Sequence, residues 1–549
     1  MFPVVLQHAA PKTRTIRDIT SALPVIFFFL LNVFSCKSES KDPEGWYVAG
    51  DFHQHTTYSG GEYSIGYVMQ ASDRYGLDWW SNSDHGGVRE FWGKATGLDY
   101  GAKVTWSSAG IRVLGSKGDP DEEGYMWRWQ SLKDYNFEDI LIARKMYPGK
   151  LILQAFEWNV PGQEHANVSI IANQFDSVNL GCEPLARFEY MFDDDDGDTT
   201  GGKELGWVKS SLEGKEKARE AAKWLQENYA GQAYVVPSHP DKSGDYSISD
   251  FRDFNNIAPD VFFGFDGMPG HQKNSVRGGY DLDEALGISE IGGKSGATYG
   301  GAGIFMSKIG GLWDALLSEG RNWWISASSD YHDDLDFFPG EYQKTYTFVK
   351  KKNDPQALIE GLRSGNSFIV TGGLITGLNF TIDGSMMGQT CKTAGDKVRV
   401  EISVFDPETH NFNTYSDYTN PGLDHIDIIA GEATGIVMPG SSDYAKDNVS
   451  STKVIARFDA EGGLMDSNGL TSMKWTDSGN GWKRITYEAD IKGNMYFRLR
   501  GTNHPLETPG ELDAAGNPLP DFAEENTAAK AFSDLWFYSN PVFVEKSGL

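Results

Sequence analysis

An α/β domain with a parallel sheet or barrel, followed by an all-β sandwich, is the architecture this sequence predicts. Three observations lead there. At 549 residues the chain is too long for one hydrophobic core, so two or more domains are expected. From about Gly45 to Gly372 short apolar runs alternate with amphipathic ones, the pattern of strand and helix units in an α/β domain. After about Leu374 long helical patterns stop, and Thr-, Val- and Ile-rich alternating runs lie between Gly, Asn, Asp and Pro turns, as in sandwiches.

In chain order, the N-terminus reads as an export signal. Lys12, Arg14 and Arg17 precede an apolar run over 22–34 that is too short to span a bilayer comfortably. The run ends Val33-Phe34-Ser35-Cys36, which resembles a bacterial lipobox. Residues 1–36 are therefore expected to be a signal with a lipid-carrying Cys36, attaching an exported protein to a membrane at the periplasm or cell surface. A plain signal peptide or an uncleaved anchor is the alternative. Polar residues 37–44 suit a tether.

Within 45–372 seven strand candidates cover 47–52, 77–81, 151–156, 168–172, 233–237, 261–265 and 323–327. Ser64 can cap a helix running towards Gly76, and Asn136 one that ends before Pro148. Residues 213–229 form the clearest helix, with Ala218, Ala221, Ala222 and Leu225 at helical spacing. The Trp-containing interval 100–135 is an irregular insertion, either a lid or ordinary packing, and Gly-rich 296–303 lacks a phosphate-loop Lys and reads as a flexible loop. In 373–549 the runs 398–404 and 425–429 are sandwich strands.

Composition narrows the function. With 39% hydrophobic residues and 63 glycines the chain is globular and rich in turns. A formal charge of -28 excludes a basic surface for nucleic acid, since phosphate neutralisation needs clustered Lys and Arg. A small anionic substrate remains compatible if bound metal supplies local positive charge. Beyond the signal, Cys182 and Cys391 stand far apart, which favours two buried thiols over a disulfide.

The chemistry concentrates at strand ends. In Asp51-Phe-His53-Gln-His55-Thr56 alternate side chains share one side, so His53 and His55 can converge on a metal while Asp51 orients them. Asp84-His85, Glu157, His239-Pro240 and Asp330-Tyr-His332 fall where later strand candidates end, and Glu164-His165 lies beside the fourth. In barrels, functional side chains gather at the C-terminal strand ends. Asp84, His85 and His332 are the candidate catalytic groups, and Asp266 and His271 are candidate substrate contacts. The run 193–196 with Asp198 has the wrong spacing for an EF-hand, and a solvated loop is the simpler reading.

In motif and order these residues resemble the polymerase and histidinol phosphatase (PHP) superfamily. The matching segments are Asp51-Phe-His53-Gln-His55-Thr56, Ser83-Asp84-His85, Phe156-Glu157, Ser238-His239-Pro240 and Ser329-Asp330-Tyr331-His332. The resemblance implies a distorted (β/α)7 barrel of the PHP type. One metal would be held by His53, His55, Glu157 and Asp330, a second by His165, His239 and the shared Glu157, and a third by His85 and His332. Such donor mixtures suit Mn, Fe or Zn. Where family members often carry a third-site Asp or His, this chain has Gly60 and Gly61, with Glu62 one position on. Two tight metals and a weak or absent third are therefore expected, which leaves His85 and His332 free to bind substrate or donate a proton. The tail segments Tyr496-Phe-Arg498-Leu-Arg500-Gly501 and Ser539-Asn540-Pro541 resemble the exported, carbaryl-hydrolase-like branch.

A pair of metals lowers the pKa of a bridging water and neutralises charge developing on an attacked phosphoryl or carbonyl group. A phosphoesterase is the leading expectation, with carboxylic ester, amide or carbamate hydrolysis as the alternative. A surface lipoprotein that binds a glycan or partner is the rival of another class. Eight ligand-type side chains argue against it, because each costs stability if buried without metal.

Overall fold

The structure is a computed structural model. It describes residues 45–92, 103–111, 124–175, 182–270, 273, 276–280, 282–283, 289–407 and 421–547. The protein is a mixed α/β molecule with large sheets. Strands Trp46–Asp51, Trp79–Asn82 and Leu151–Gln154 are parallel neighbours, joined through helical segments such as Ile65–Arg74 and Phe137–Met146. Ser64 caps the first of these helices by accepting the Tyr67 N–H at 3.3 Å.

The expectation of an all-parallel set needs correction. Strands Phe156–Trp158, Ala166–Ile170 and Ala233–Pro237 form a separate antiparallel sheet. Only residues 159–165 connect the first two, whereas a parallel return takes a crossover of about a dozen residues or more. Gly264–Met268 and Trp324–Ala327 are again parallel to each other. Single bridges join these groups, Val235 to Phe262 and Gln54 to Tyr331. The aromatic and aliphatic residues Phe52, Trp79, Leu153, Phe156, Val168, Val235, Phe265 and Ile325 from all of them share one core.

Two further local expectations change. Asn136 does not start a helix: its backbone is already helical, and a π-turn over Leu132–Asn136 joins Arg128–Ser131 to Phe137–Met146. Its side chain turns inward instead, donating to Asn82 Oδ1 at 2.7 Å and to Asp84 Oδ2 at 3.0 Å. The Gly-rich stretch 296–303 expected as a loop begins inside strand Lys294–Tyr299, which pairs with Pro520–Phe522. Glycine is required there, since a Cβ on Gly296 would lie 2.5 Å from the Asp521 carbonyl oxygen.

Residues after 372 supply a five-stranded sheet, in which Gly377–Ile382, Lys397–Phe405 and Trp482–Asp490 are antiparallel neighbours. Leu378, Phe380, Val400, Ile402 and Ile485 point from it into a core shared with Ile426, Ile428, Phe458, Phe497 and Leu499 of a second sheet. That second sheet is the one carrying Trp46–Asp51. It runs from Met473–Lys474 through His425–Glu432, Met495–Thr502, Trp536–Ser539, Ser367–Thr371 and Gln343–Val349 to the parallel strands, twelve strands in all, so one sheet holds strands from both before and after residue 372. The other face of His425–Glu432 and Met495–Thr502 meets helix Leu312–Ser318, where Arg498 grips Asp314 with two 2.8 Å hydrogen bonds. Burial on both faces is why Ile428, Ile429 and Ala430 run apolar without alternation, and why Asp427, buried beside them, is held by Arg457 and Arg500.

Among the described residues, Cys182 and Cys391 are both buried and free. The insertion tryptophans Trp106, Trp127 and Trp129 are buried as well, the latter two packed with Tyr190 and Trp207. The acidic run is only partly solvated. Asp193 accepts from Asn159 N at 3.0 Å and lies 3.3 Å from Arg128 Nη1, and Asp198 accepts from Trp129 Nε1 at 2.8 Å and from Gly201 and Gly202 N–H. These carboxylates tie loops together.

Candidate metal centre

The candidate ligands follow strand ends, except Glu157, which lies within Phe156–Trp158, and His165, which just precedes Ala166–Ile170. Beyond Trp46–Asp51 the chain stays extended and bridges Gln54 to Tyr331, with the His55 N–H donating to the Tyr331 carbonyl at 2.9 Å. That bridge sets the first motif beside the last. Asp51 Oδ1 strengthens it by accepting from His53 N at 2.8 Å and Ser329 N at 3.3 Å. Asp51 thus orients the backbone of His53 rather than its ring, a correction to the expected contact.

Glu157 is the hub. Its buried carboxylate lies 3.2 Å from His53 Nε2, 3.1 Å from His55 Nε2, 3.1 Å from His85 Nε2, 3.3 Å from His165 Nδ1 and 3.2 Å from His239 Nε2. Asp330 Oδ1 stands 3.1 Å from His53 Nε2 and 3.3 Å from His55 Nε2, and those two nitrogens are 2.8 Å apart. His332 stacks on His55 with ring centres 4.1 Å apart. All eight expected ligands therefore meet around one point. Seven of them, with Glu164, fall into His53, His55, Glu157 and Asp330, then His85, Glu157 and His165, then Glu164, His165 and His239, while His332 joins none of these groups. His85 thus sits with Glu157 and His165.

The spacing fits cations. Two ligands about 2.1 Å from one ion at a tetrahedral angle stand about 3.4 Å apart, close to the separations observed here. Glu157 Oε1 and Asp330 Oδ1 are buried and take no hydrogen bond, an arrangement that costs stability unless positive charge lies against them. Backbone strain adds to this: His239 and Asp330 hold φ of 31° and 46°, left-handed values costing on the order of 1–3 kcal/mol each. Side-chain exposure is zero for His53 and His55 but 21% for His85, 29% for His165 and 37% for His332. The centre therefore opens on the side of these three imidazoles.

Protonation suits ligation. Burial opposes charge on Glu157 and Asp330, yet the imidazoles around them, His53 first, hold both carboxyls well below their ordinary range. Burial pushes His85 down to about 3 and lowers His332, which keeps both rings neutral. Burial also disfavours charge on His55, but the facing Asp330 and Glu157 outweigh it and raise its pKa to about 10 in the metal-free protein. Burial lifts Asp51 to about 6.

Asp84, expected among the catalytic groups, is fully enclosed. It accepts from Thr56 N and Oγ1, Ser59 Oγ, Asn82 Nδ2 and Asn136 Nδ2 at 2.6–3.0 Å, so donors occupy both of its oxygens. It positions His55 instead, because Ser59 Oγ also lies 2.8 Å from His55 Nδ1. Asp266 is buried, accepts from Ser328 Oγ, and is raised well above the carboxylate range by burial and by the charges of Asp51 and Asp330. At 2% exposure it is enclosed rather than open to solvent. His271 lies outside the described residues. Glu62 carries an exposed side chain and belongs to none of the clusters found among the described residues. A Cβ on Gly61 would lie 2.7 Å from the backbone of His55 and Thr56, whereas one on Gly60 would meet His332 at 3.2 Å. Ser59, four residues after His55, is a contributor that the motifs do not include, and Glu164, noted beside His165, had no role assigned to it.

No family model matches the sequence, and no curated protein matches it. Among six matching solved chains is a two-domain protein containing a predicted PHP-like metal-dependent phosphoesterase from Bacteroides vulgatus. It is 13% identical over 87% of this chain and 95% of that one, with a TM-score of 0.30. An endo-β-1,4-mannanase from Thermotoga petrophila is 11% identical over 92% and 98%, with a TM-score of 0.19. At such TM-scores neither likeness carries an argument, and the case for function rests on the centre itself.

Proposed function

We propose that this protein is a metal-dependent hydrolase, most specifically a phosphoesterase acting on a small anionic substrate. The observation that carries the reading is the single buried carboxylate of Glu157 within 3.1–3.3 Å of five imidazole nitrogens. His53, His55, Glu157 and Asp330 would hold one divalent cation, and His165, His239 and Glu157 a second, with Mn, Zn or Fe compatible with the donors. When bound, the cations would polarise the attacked group and lower the pKa of water.

The chain's own residues account for the rest. Asp84 and Ser59 fix His55, Asp51 holds the first and last motifs in register, and the buried walls at His53 and His55 exclude bulk water. His85 and His332, neutral and partly exposed at the mouth, are placed to hydrogen-bond a substrate oxygen or pass a proton to a leaving group. The motif order that resembles the PHP superfamily supports a phosphoester. The same reading includes a distorted barrel around the centre, a sandwich beyond 372, and lipid attachment of an exported protein at Cys36, which lies outside the described residues.

The test is metal analysis of the purified soluble domain with hydrolysis assays on aryl phosphates, bis-aryl phosphates, aryl esters and carbamates. Turnover of a phosphoester that is lost on chelation and restored by metal is expected. Turnover confined to esters or carbamates would move the substrate class, and a protein that takes up no metal would end the hydrolase reading.

A further inference from the structure

The His239 ring is caught between two carboxylates. Nε2 faces Glu157 Oε1 at 3.2 Å, while Nδ1 faces Glu164 Oε1 at 3.8 Å. Nδ1 is buried and takes no hydrogen bond. Glu164 is itself anchored, since the same Oε1 accepts the His165 N–H at 3.2 Å and lies 3.5 Å from His165 Nδ1. Its side chain is 13% exposed, so water screens it little. The turn carrying His239 is fixed by the Lys242 N–H donating to the His239 carbonyl at 3.0 Å.

These contacts decide between two tautomers. With its proton on Nε2, His239 would turn the Nδ1 lone pair on the Glu164 carboxylate, two electron-rich groups with nothing between them. With the proton on Nδ1, that N–H points at Glu164, and the Nε2 lone pair points at Glu157, where a cation would separate them. Closing 3.8 Å to hydrogen-bond length takes a movement of about 1 Å. A carboxylate on the far nitrogen of a ligating histidine fixes its orientation and raises its basicity.

We propose that Glu164 is the positioning carboxylate of the second metal site: it accepts the His239 Nδ1 proton and so commits Nε2 to the cation shared with Glu157. This rests on the two-metal reading above. Glu164 is a positioning residue here, not a ligand.

The test uses the metal-free protein, titrated with Co²⁺ by calorimetry and by competition with a chelator. In Glu164→Ala the second of two Co²⁺ equivalents should bind 10–100-fold more weakly, with the first unchanged. Glu164→Gln, whose amide oxygen still accepts Nδ1–H, should stay within roughly threefold of wild type. The Co²⁺-loaded wild type and Glu164→Gln should share a shifted, exchangeable imidazole N–H proton signal that Glu164→Ala lacks. Wild-type affinity at both sites in Glu164→Ala would overturn the assignment while leaving the hydrolase reading intact. Equal losses in Ala and Gln variants would make Glu164 a direct ligand, which also overturns it. A wild-type protein that binds no second equivalent would remove the two-metal reading on which the assignment stands.

Discussion

Replacing Glu157 with Gln isolates the hub of the centre with the smallest change of shape. The carboxylate belongs to both the His53, His55 and Asp330 cluster and the His85 and His165 cluster, so one substitution weakens two sites. An amide carries no charge and turns an NH2 towards nitrogens 3.1–3.3 Å away. A hundredfold loss of affinity per site is a modest expectation, since losing even an outer-layer partner costs 10–100-fold. Metal at 1,000 times its dissociation constant stabilises the folded state by about 4.1 kcal/mol per site, and a hundredfold weaker site retains roughly 1.4 kcal/mol. The metal-dependent part of the stability should therefore fall by about 5 kcal/mol over two sites. Urea unfolding of metal-loaded and chelator-treated protein reads that difference, elemental analysis reads stoichiometry, and aryl phosphate hydrolysis reads activity. The chelated forms of the two proteins should unfold alike enough to show an intact fold. A variant that keeps two metals, the full metal-dependent increment and wild-type turnover would refute the assignment of Glu157.

Three other outcomes follow from particular contacts. His55 has a pKa raised to about 10 when no metal is present, and a cation must displace that proton, so metal affinity at this site should rise about tenfold per pH unit between pH 6 and 9; chelator competition that gives one pH-independent constant would contradict it. Gly60→Asp puts a carboxylate beside His332, where a Cβ already comes within 3.2 Å of the ring, so elemental analysis after dialysis should rise from two metals per chain to three, and three in the wild type would reject the weak third site. Arg498→Ala leaves Asp314 charged, fully buried and without its bidentate partner, so chemical denaturation should report a loss of about 3–5 kcal/mol, and a loss under about 1 kcal/mol would show that the pair does not hold the sheet to helix Leu312–Ser318.

Alternation of apolar residues, capping side chains and the placing of His and carboxylate groups at strand ends are local properties, and the sequence carries them. Strand Ala233–Pro237, the helix capped by Ser64 and the alternating strand Lys397–Phe405 were legible for that reason. The eight ligand-type residues could be named because their motifs and order resemble those of the PHP superfamily and most of them follow apolar runs. Direction and partnership are not local. The antiparallel Ala166–Ile170 follows from a connection too short to cross over, and only the pairing reveals that one sheet holds strands from both before and after residue 372. Asp84 looked like a catalytic acid from its neighbour His85, but five donors from three separate segments occupy both of its oxygens. Glu164 could be placed beside the fourth strand from sequence, but only the fold turns the His239 ring towards it. A side chain's chemistry is set by its type, but its role is set by what burial leaves unpartnered around it, and that is decided by residues far away in the chain.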